Sequence, residues 1–166
     1  MIQEETQASS KGDTTLTLPS ERELVISRTF AAPRAVVFEA TTKPEHVRKW
    51  WGPRGMEMVD CQIDFRVGGS YRYAVRTPDG MEVAFSGVYR EIEAPARIVH
   101  TEGYEAMPGH DYLSTVTYDE KDGRTTLTVH LLYQTAEDRD GHIASGMESG
   151  MRETWDRLAE LVETLA

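Results

Sequence analysis

The chain has one cysteine in 166 residues, so no internal disulfide can staple it and a packed core has to hold the fold. That residue, Cys61, sits in the alternating stretch "MVDCQIDF", where a small apolar side chain would serve as well, and it reads as a packed, inert thiol. No apolar run approaches the ~18 residues that a membrane span needs, which excludes insertion by a helix. Basic residues are also short. Eighteen against 28 acids leave a net charge of -10, which repels phosphate backbones and removes nucleic acid from the expected partners. The five histidines are scattered, with no two at ligand spacing on one helix and no cysteine pair to join them, so neither a metal nor a cofactor is expected. His130 falls on the polar parity of its stretch and reads as solvated. Nucleophile elbow, phosphate loop and dinucleotide fingerprint are all missing; "VGGS" lies between two strands and lacks the helix N-terminus that would hold a phosphate. The opening "MIQEETQASSKGDTT" has no positively charged leader with an apolar stretch behind it, which makes a cytoplasmic protein the expectation.

What is present is alternation. Residues 1–20 are polar, apart from "LTL", and read as a flexible N-terminal arm. Residues 21–166 read as a single domain, since no repeat or composition shift divides them. "RELVISRTF" is a first strand. Pro33 suits the first turn of a short helix, "PRAVVFEATT", and "TKPE" offers Thr42 as a cap with Glu45 completing a capping box for a second one. Gly52 and Pro53 end that helix, placing Trp50 and Trp51 of "KWWGPRG" on its last turn. Neighbours on a helix point about 100° apart, so the two rings cannot share one pocket: one packs inward, and Trp51 is assigned to closing a cavity.

Six further strands follow, separated by "VGGS", "TPDG", "EAPA", "MPGH" and "EKDG". "SYRYAVRT" sends Tyr71, Tyr73 and Val75 to one face and Arg72 and Arg76 to the other. "TTLTVHLLY" likewise separates Leu127, Val129, Leu131 and Tyr133 from Thr126, Thr128 and His130. An antiparallel sheet with one apolar face needs a cover on that face. From Ala136 the chain reads as one long helix, and Met147, Met151, Trp155, Leu158, Val162 and Leu165 recur along it as a single stripe. Tyr71, Tyr73, Phe85 and Tyr89 would then face Met147, Met151 and Trp155. Any one of these fills a core by default; together, hydroxyl-bearing rings and adaptable thioethers suit a partly polar pocket better than a dry interior. Gly146 and Gly150 weaken the helix beside them unless the backbone approaches the sheet closely or space is left open. His100 in "RIVHTEGY" is structural on its first reading, yet turned inward beside Glu102 it would supply acid-base chemistry.

The motifs "ISRTFAAPRAVVFEATTKPEHVRKWWGPRG", "IDFRVGGSYRY", "FSGVYREIEAPARIVHT" and "GMESGMRETWDRLAELVE" resemble, in this order, those of the activator of heat-shock ATPase homologue-like branch of the START-like, or SRPBCC, superfamily. The resemblance covers about residues 22 to 165. It implies an α+β helix-grip fold: a curved seven-stranded antiparallel sheet around a long C-terminal helix, with two short helices between strands 1 and 2 and a hydrophobic cavity inside. It places Trp50 and Trp51 at the cavity mouth, Tyr71 and Tyr73 on the sheet wall, and Met147, Met151 and Trp155 on the helix wall. The superfamily has no universal catalytic residue, so the resemblance implies a pocket and not a reaction.

A binder of a small hydrophobic or aromatic molecule, lipid- or polyketide-like, acting as carrier, sensor or sequestration protein, is the leading expectation. An enzyme of cyclase, dehydratase or hydrolase type would use the same pocket, with His100, Glu102, Asp111 or a tyrosine moving the proton. A chaperone-associated interaction module is the third class. Eukaryotic co-chaperones of this kind carry an additional N-terminal domain where this sequence has a polar arm, which argues against that role. A monomer or weak homodimer is expected.

Overall fold

The computed structural model describes Gln7–Ala8 and residues 14–166. Its strands are β1 (Gln7–Ala8), β2 (Thr15–Thr17), β3 (Glu23–Phe30), β4 (Glu57–Ile63), β5 (Ser70–Arg76), β6 (Glu82–Glu93), β7 (Arg97–Tyr104), β8 (Tyr112–Lys121) and β9 (Arg124–Leu132). They form one antiparallel sheet in the order β1-β2-β3-β9-β8-β7-β6-β5-β4. Helices α1 (Arg34–Thr42) and α2 (Pro44–Trp50) join β3 to β4, and α3 (Ala136–Ala144) and α4 (Met147–Leu165) close the chain. This is the helix-grip arrangement, α+β, with seven strands where the sequence indicates seven and two more at the β3 edge.

The two added strands come from the segment read as an arm. Thr15–Thr17 pairs with β3, setting Leu16 opposite Ile26, and both Leu16 and Thr14 are buried. Three alternating residues are too short a pattern to outweigh the polar composition around them, yet one leucine on a free strand edge is enough to dock. Residues 1–6 and 9–13 of that segment lie outside the described residues.

Two local expectations change. Thr42 belongs to α1 and donates its hydroxyl hydrogen to the Phe38 carbonyl at 2.7 Å rather than capping α2. The residue before a proline is pushed out of the helical region, so the break falls at Lys43, extended at φ -95 and ψ 130, directly before Pro44. The C-terminal helix is not continuous either. Ser145 and Gly146 separate α3 from α4, and Gly146 sits at φ 87, a left-handed conformation that glycine adopts without strain. Gly146 therefore serves a turn, and neither of the roles inferred from a helical position applies to it.

The core lies between α4 and one face of the sheet. Trp155, Leu158 and Val162 are buried, and the Phe30 and Trp155 rings meet at 5.9 Å. Polar tethers hold α4 on both sides. Arg28 comes off the inward face of β3 and meets Asp156 at 2.6 Å. Arg157 donates to the carbonyls of Lys49 and Gly52 at 2.8 and 2.6 Å, satisfying acceptors that the end of α2 leaves without helical partners. The "KWWGPRG" turn is thereby bound to α4. Among the described residues no helix is long and apolar enough to cross a membrane, and no group of three His, Cys, Asp or Glu could hold a metal ion.

Candidate functional site

Between the sheet and the first half of α4 lies a cavity of about 380 Å³. Each strand supplies alternate residues, as a pleated sheet must: Tyr71, Tyr73 and Val75 from β5; Phe85 and Tyr89 from β6; Leu127, Val129 and Leu131 from β9. Met147, Met151 and Trp155 close it from α4, and Trp51, Gly52 and Pro53 from the turn after α2. The eight residues singled out in the sequence as a pocket (Trp51, Tyr71, Tyr73, Phe85, Tyr89, Met147, Met151 and Trp155) are all on its wall, as is His100. Arg72 and Arg76 point the other way. Arg72 meets Asp60 at 2.8 Å and Glu105 at 3.0 Å on the outer face.

The two tryptophans part as their sequence position requires, by a different geometry. Trp50 ends α2, is buried, and donates its indole N–H to the Ala40 carbonyl at 2.8 Å. Trp51 has left the helix, extended at φ -73 and ψ 131. Its ring is half-buried against Tyr73 at 5.2 Å and Phe85 at 5.7 Å.

One end of the cavity is polar. Tyr71 Oη lies 2.9 Å from Glu102 Oε1, 2.9 Å from the Thr101 carbonyl oxygen and 3.0 Å from His100 Nδ1. Tyr112 stands directly opposite Glu102 across β7 and β8 and donates to Oε2 at 2.6 Å. Next to it, Tyr133 Oη and His142 Nδ1 are 2.6 Å apart, and the Tyr112 ring touches both of their rings. Burial, followed by the Glu102 charge, pushes the Tyr71 and Tyr112 hydroxyls well above the usual phenol range. They stay protonated and act as donors. Burial also lowers the His142 imidazole below its ordinary value, with Glu102 opposing the shift, so His142 is neutral at pH 7.

Tyr71 reaches β7 because β6 lets it pass. Gly87 is its cross-strand partner, and a Cβ there would lie 2.8 Å from Tyr71 Cε1 and 1.8 Å from the Thr101 oxygen. Only a residue without a side chain leaves room for a phenol crossing the intervening strand. Sequence reading missed this glycine, and with it the reach of Tyr71 to Glu102; "FSGVY", a glycine inside a strand pattern, was the available signal. Tyr112 and His142 were missed too. Asp111, one of the proton donors considered, is exposed and does not line the cavity. Cys61 is buried opposite Tyr73, and burial raises its thiol above the usual range. His130 is not freely solvated, since its Nε2 lies 2.5 Å from Glu23 on the outer face.

Comparison with known proteins bears on the whole of this frame. The model of the family described as Activator of Hsp90 ATPase homolog 1-like protein matches residues 31–163. A crystal structure of a Rhodobacter sphaeroides protein superposes with a TM-score of 0.85 at 28% identity, over 92% of this chain and 99% of that one. A solution structure of a Staphylococcus epidermidis protein gives 0.75 at 26% identity, over 90% and 94%. A Silicibacter pomeroyi protein whose structure carries the same family name gives 0.72 at 19% identity, over 87% and 99%, a likeness of fold alone. None of the curated proteins compared with the chain matches it.

Proposed function

The chain belongs to the Activator of Hsp90 ATPase homolog 1-like family, and we propose that its role is to bind a small hydrophobic or aromatic molecule in the cavity between sheet and α4. The observation that carries this reading is the cavity itself. Its volume of about 380 Å³ falls in the range of small-molecule sites, its walls are mostly aromatic, thioether and aliphatic, and its Glu102 carboxylate sits among tyrosines and histidines. A core under no demand to hold anything would close such a space, because each unfilled volume forfeits contacts. Carrier, sensor and sequestration protein are the roles that fit a binder of this kind, with Trp51 beside Pro53 as the covering ring.

Native mass spectrometry of the protein purified gently from its own host tests this reading. The expected result is one apolar passenger per chain, released on denaturation. A protein that arrives empty, and whose tryptophan fluorescence ignores a broad set of lipids and aromatic compounds, would refute it.

A second reading rests on one specific observation. His100, Tyr71 and Glu102 are joined by hydrogen bonds inside the cavity, an arrangement able to move a proton on a bound molecule. In an enzyme of cyclase, dehydratase or hydrolase type, His100→Gln abolishes most turnover of the passenger. In a binder it changes affinity little.

A further inference from the structure

The polar end of the cavity specifies the chemistry of what it holds, on the reading that the cavity holds a ligand. Among the described residues lining it, Glu102 is the one carboxylate, and no lysine or arginine is present. Its protein partners are neutral: Tyr71 donates to one oxygen and Tyr112 to the other. Each carboxylate oxygen has a further lone pair, so both remain able to accept.

The hydrogens at this end can be assigned by elimination. The Thr101 carbonyl and Glu102 Oε1 accept only, and the two groups able to serve them are the Tyr71 hydroxyl and His100 Nδ1. Both acceptors are satisfied when Tyr71 donates to Glu102 and His100 Nδ1–H donates to the Thr101 oxygen, 3.0 Å away. That bond places a hydrogen on His100 Nδ1, the nitrogen facing the backbone. The Tyr112 hydrogen is engaged by Glu102. Around Glu102 this end therefore offers an incoming molecule an anionic acceptor bordered by the rings of Tyr71 and Tyr112, with no cation among the described lining residues to balance it; the Tyr133–His142 pair beside it keeps one neutral hydrogen to donate.

We infer that the ligand carries a protonated amine on an apolar body, with Glu102 as its counterion. An ammonium supplies the positive charge that the described lining lacks together with strong N–H donors for Glu102, and aromatic faces favour a cation beside them. A carboxylate or phosphate head, such as a fatty acid brings, would meet the like charge of Glu102 with no lysine or arginine among the described lining residues to offset it, and is disfavoured. A neutral alcohol would form one hydrogen bond without compensating the charge.

Three probes of one shape separate these cases: 1-naphthylmethylamine, 1-naphthalenemethanol and 1-naphthoic acid, titrated calorimetrically into the full chain at pH 7. The amine is expected to bind at least about tenfold more tightly than the alcohol, because both can bond to the carboxylate but only the ammonium neutralises it, and the acid should bind least. In Glu102→Gln, the amine should fall to the affinity of the alcohol, while the alcohol changes by less than about threefold. An alcohol that matches the amine in the unaltered protein, an acid that binds best, or an amine preference that survives Glu102→Gln overturns the inference. The comparison in the unaltered protein stands even if that variant does not fold. Alcohol binding without amine preference would sink this inference alone and leave the cavity reading in place; binding of none of the three counts against both.

Discussion

Replacing Asp156 by alanine should cost the fold far more than a surface ion pair would. Arg28 projects from β3 into the layer under α4 with a side chain only 8% exposed, and among the described residues Asp156 is its one carboxylate partner, at 2.6 Å, itself 22% exposed. Removing one member of a fully buried pair costs about 3–5 kcal/mol, because the other charge is left uncompensated. Here water reaches the aspartate side, and Arg28 keeps the Thr14 hydroxyl at 3.3 Å and the Phe30 ring face at 5.4 Å. Those contacts reduce the expected loss to about 2–3 kcal/mol, or roughly 5–10 °C in Tm for a domain of this size. Urea denaturation followed by circular dichroism measures it. Asp156→Asn, which keeps an acceptor, should lose about half as much, and adding Arg28→Met to Asp156→Ala should restore part of the loss, since it removes the stranded charge. A loss under about 0.5 kcal/mol for Asp156→Ala would refute the reasoning, because the pair would then be behaving as if solvent-exposed.

Three further substitutions probe other parts of the frame. Gly87→Ala sets a Cβ 1.8 Å from the Thr101 oxygen, a backbone atom that cannot swing aside, and should cost at least about 2 kcal/mol in the same denaturation assay. Trp50→Phe strands the Ala40 carbonyl and should lose about 1–3 kcal/mol in that assay; a loss under about 0.3 kcal/mol would contradict the role given to its indole N–H. His142→Asn should flatten the acid side of the stability profile. Burial depresses the folded imidazole, so from pH ~6.5 down to its folded value the unfolded chain holds a proton that the fold does not, and stability falls with pH across that window. The unaltered protein should show that slope in urea titrations between about pH 7 and pH 5, and the variant less of it; equal slopes would contradict the assignment to His142.

The seven long strands and the wall residues were legible because a pleated sheet translates parity directly into face. Tyr71 and Arg72 cannot point the same way whatever the surroundings. Helix ends were less legible. The capping pattern at Thr42 lost to Pro44, whose steric effect on Lys43 acts before any side-chain hydrogen bond can be counted. Arg28 was invisible for another reason: its parity was inward, but a charged residue at an inward position makes sense only once Asp156 is known to lie above it, 128 residues away. The same holds for Glu102. Its strand showed an acid, and nothing local could say that two tyrosines from β5 and β8 would converge on it.

Why the fold keeps a cavity where it does can be argued from α4 alone. Its second half carries Leu158 and Val162, both buried and off the cavity wall, and that end is a dry core. The first half carries Met147, Gly150 and Met151, half-buried and facing the tyrosines. If Gly150 were there for close approach of the backbone, an added Cβ would collide, yet it would meet Pro53 Cγ at 3.4 Å, an ordinary contact. Close packing therefore does not demand the glycine. The sheet shows the same division, with hydroxyl-bearing rings opposite the methionine end and Phe30 against Trp155 where the cavity stops. One helix and one sheet thus pack tightly at one end and stay apart at the other. The residues at the open end are those that adapt to a bound shape, methionine above all, rather than those that fix a single packing.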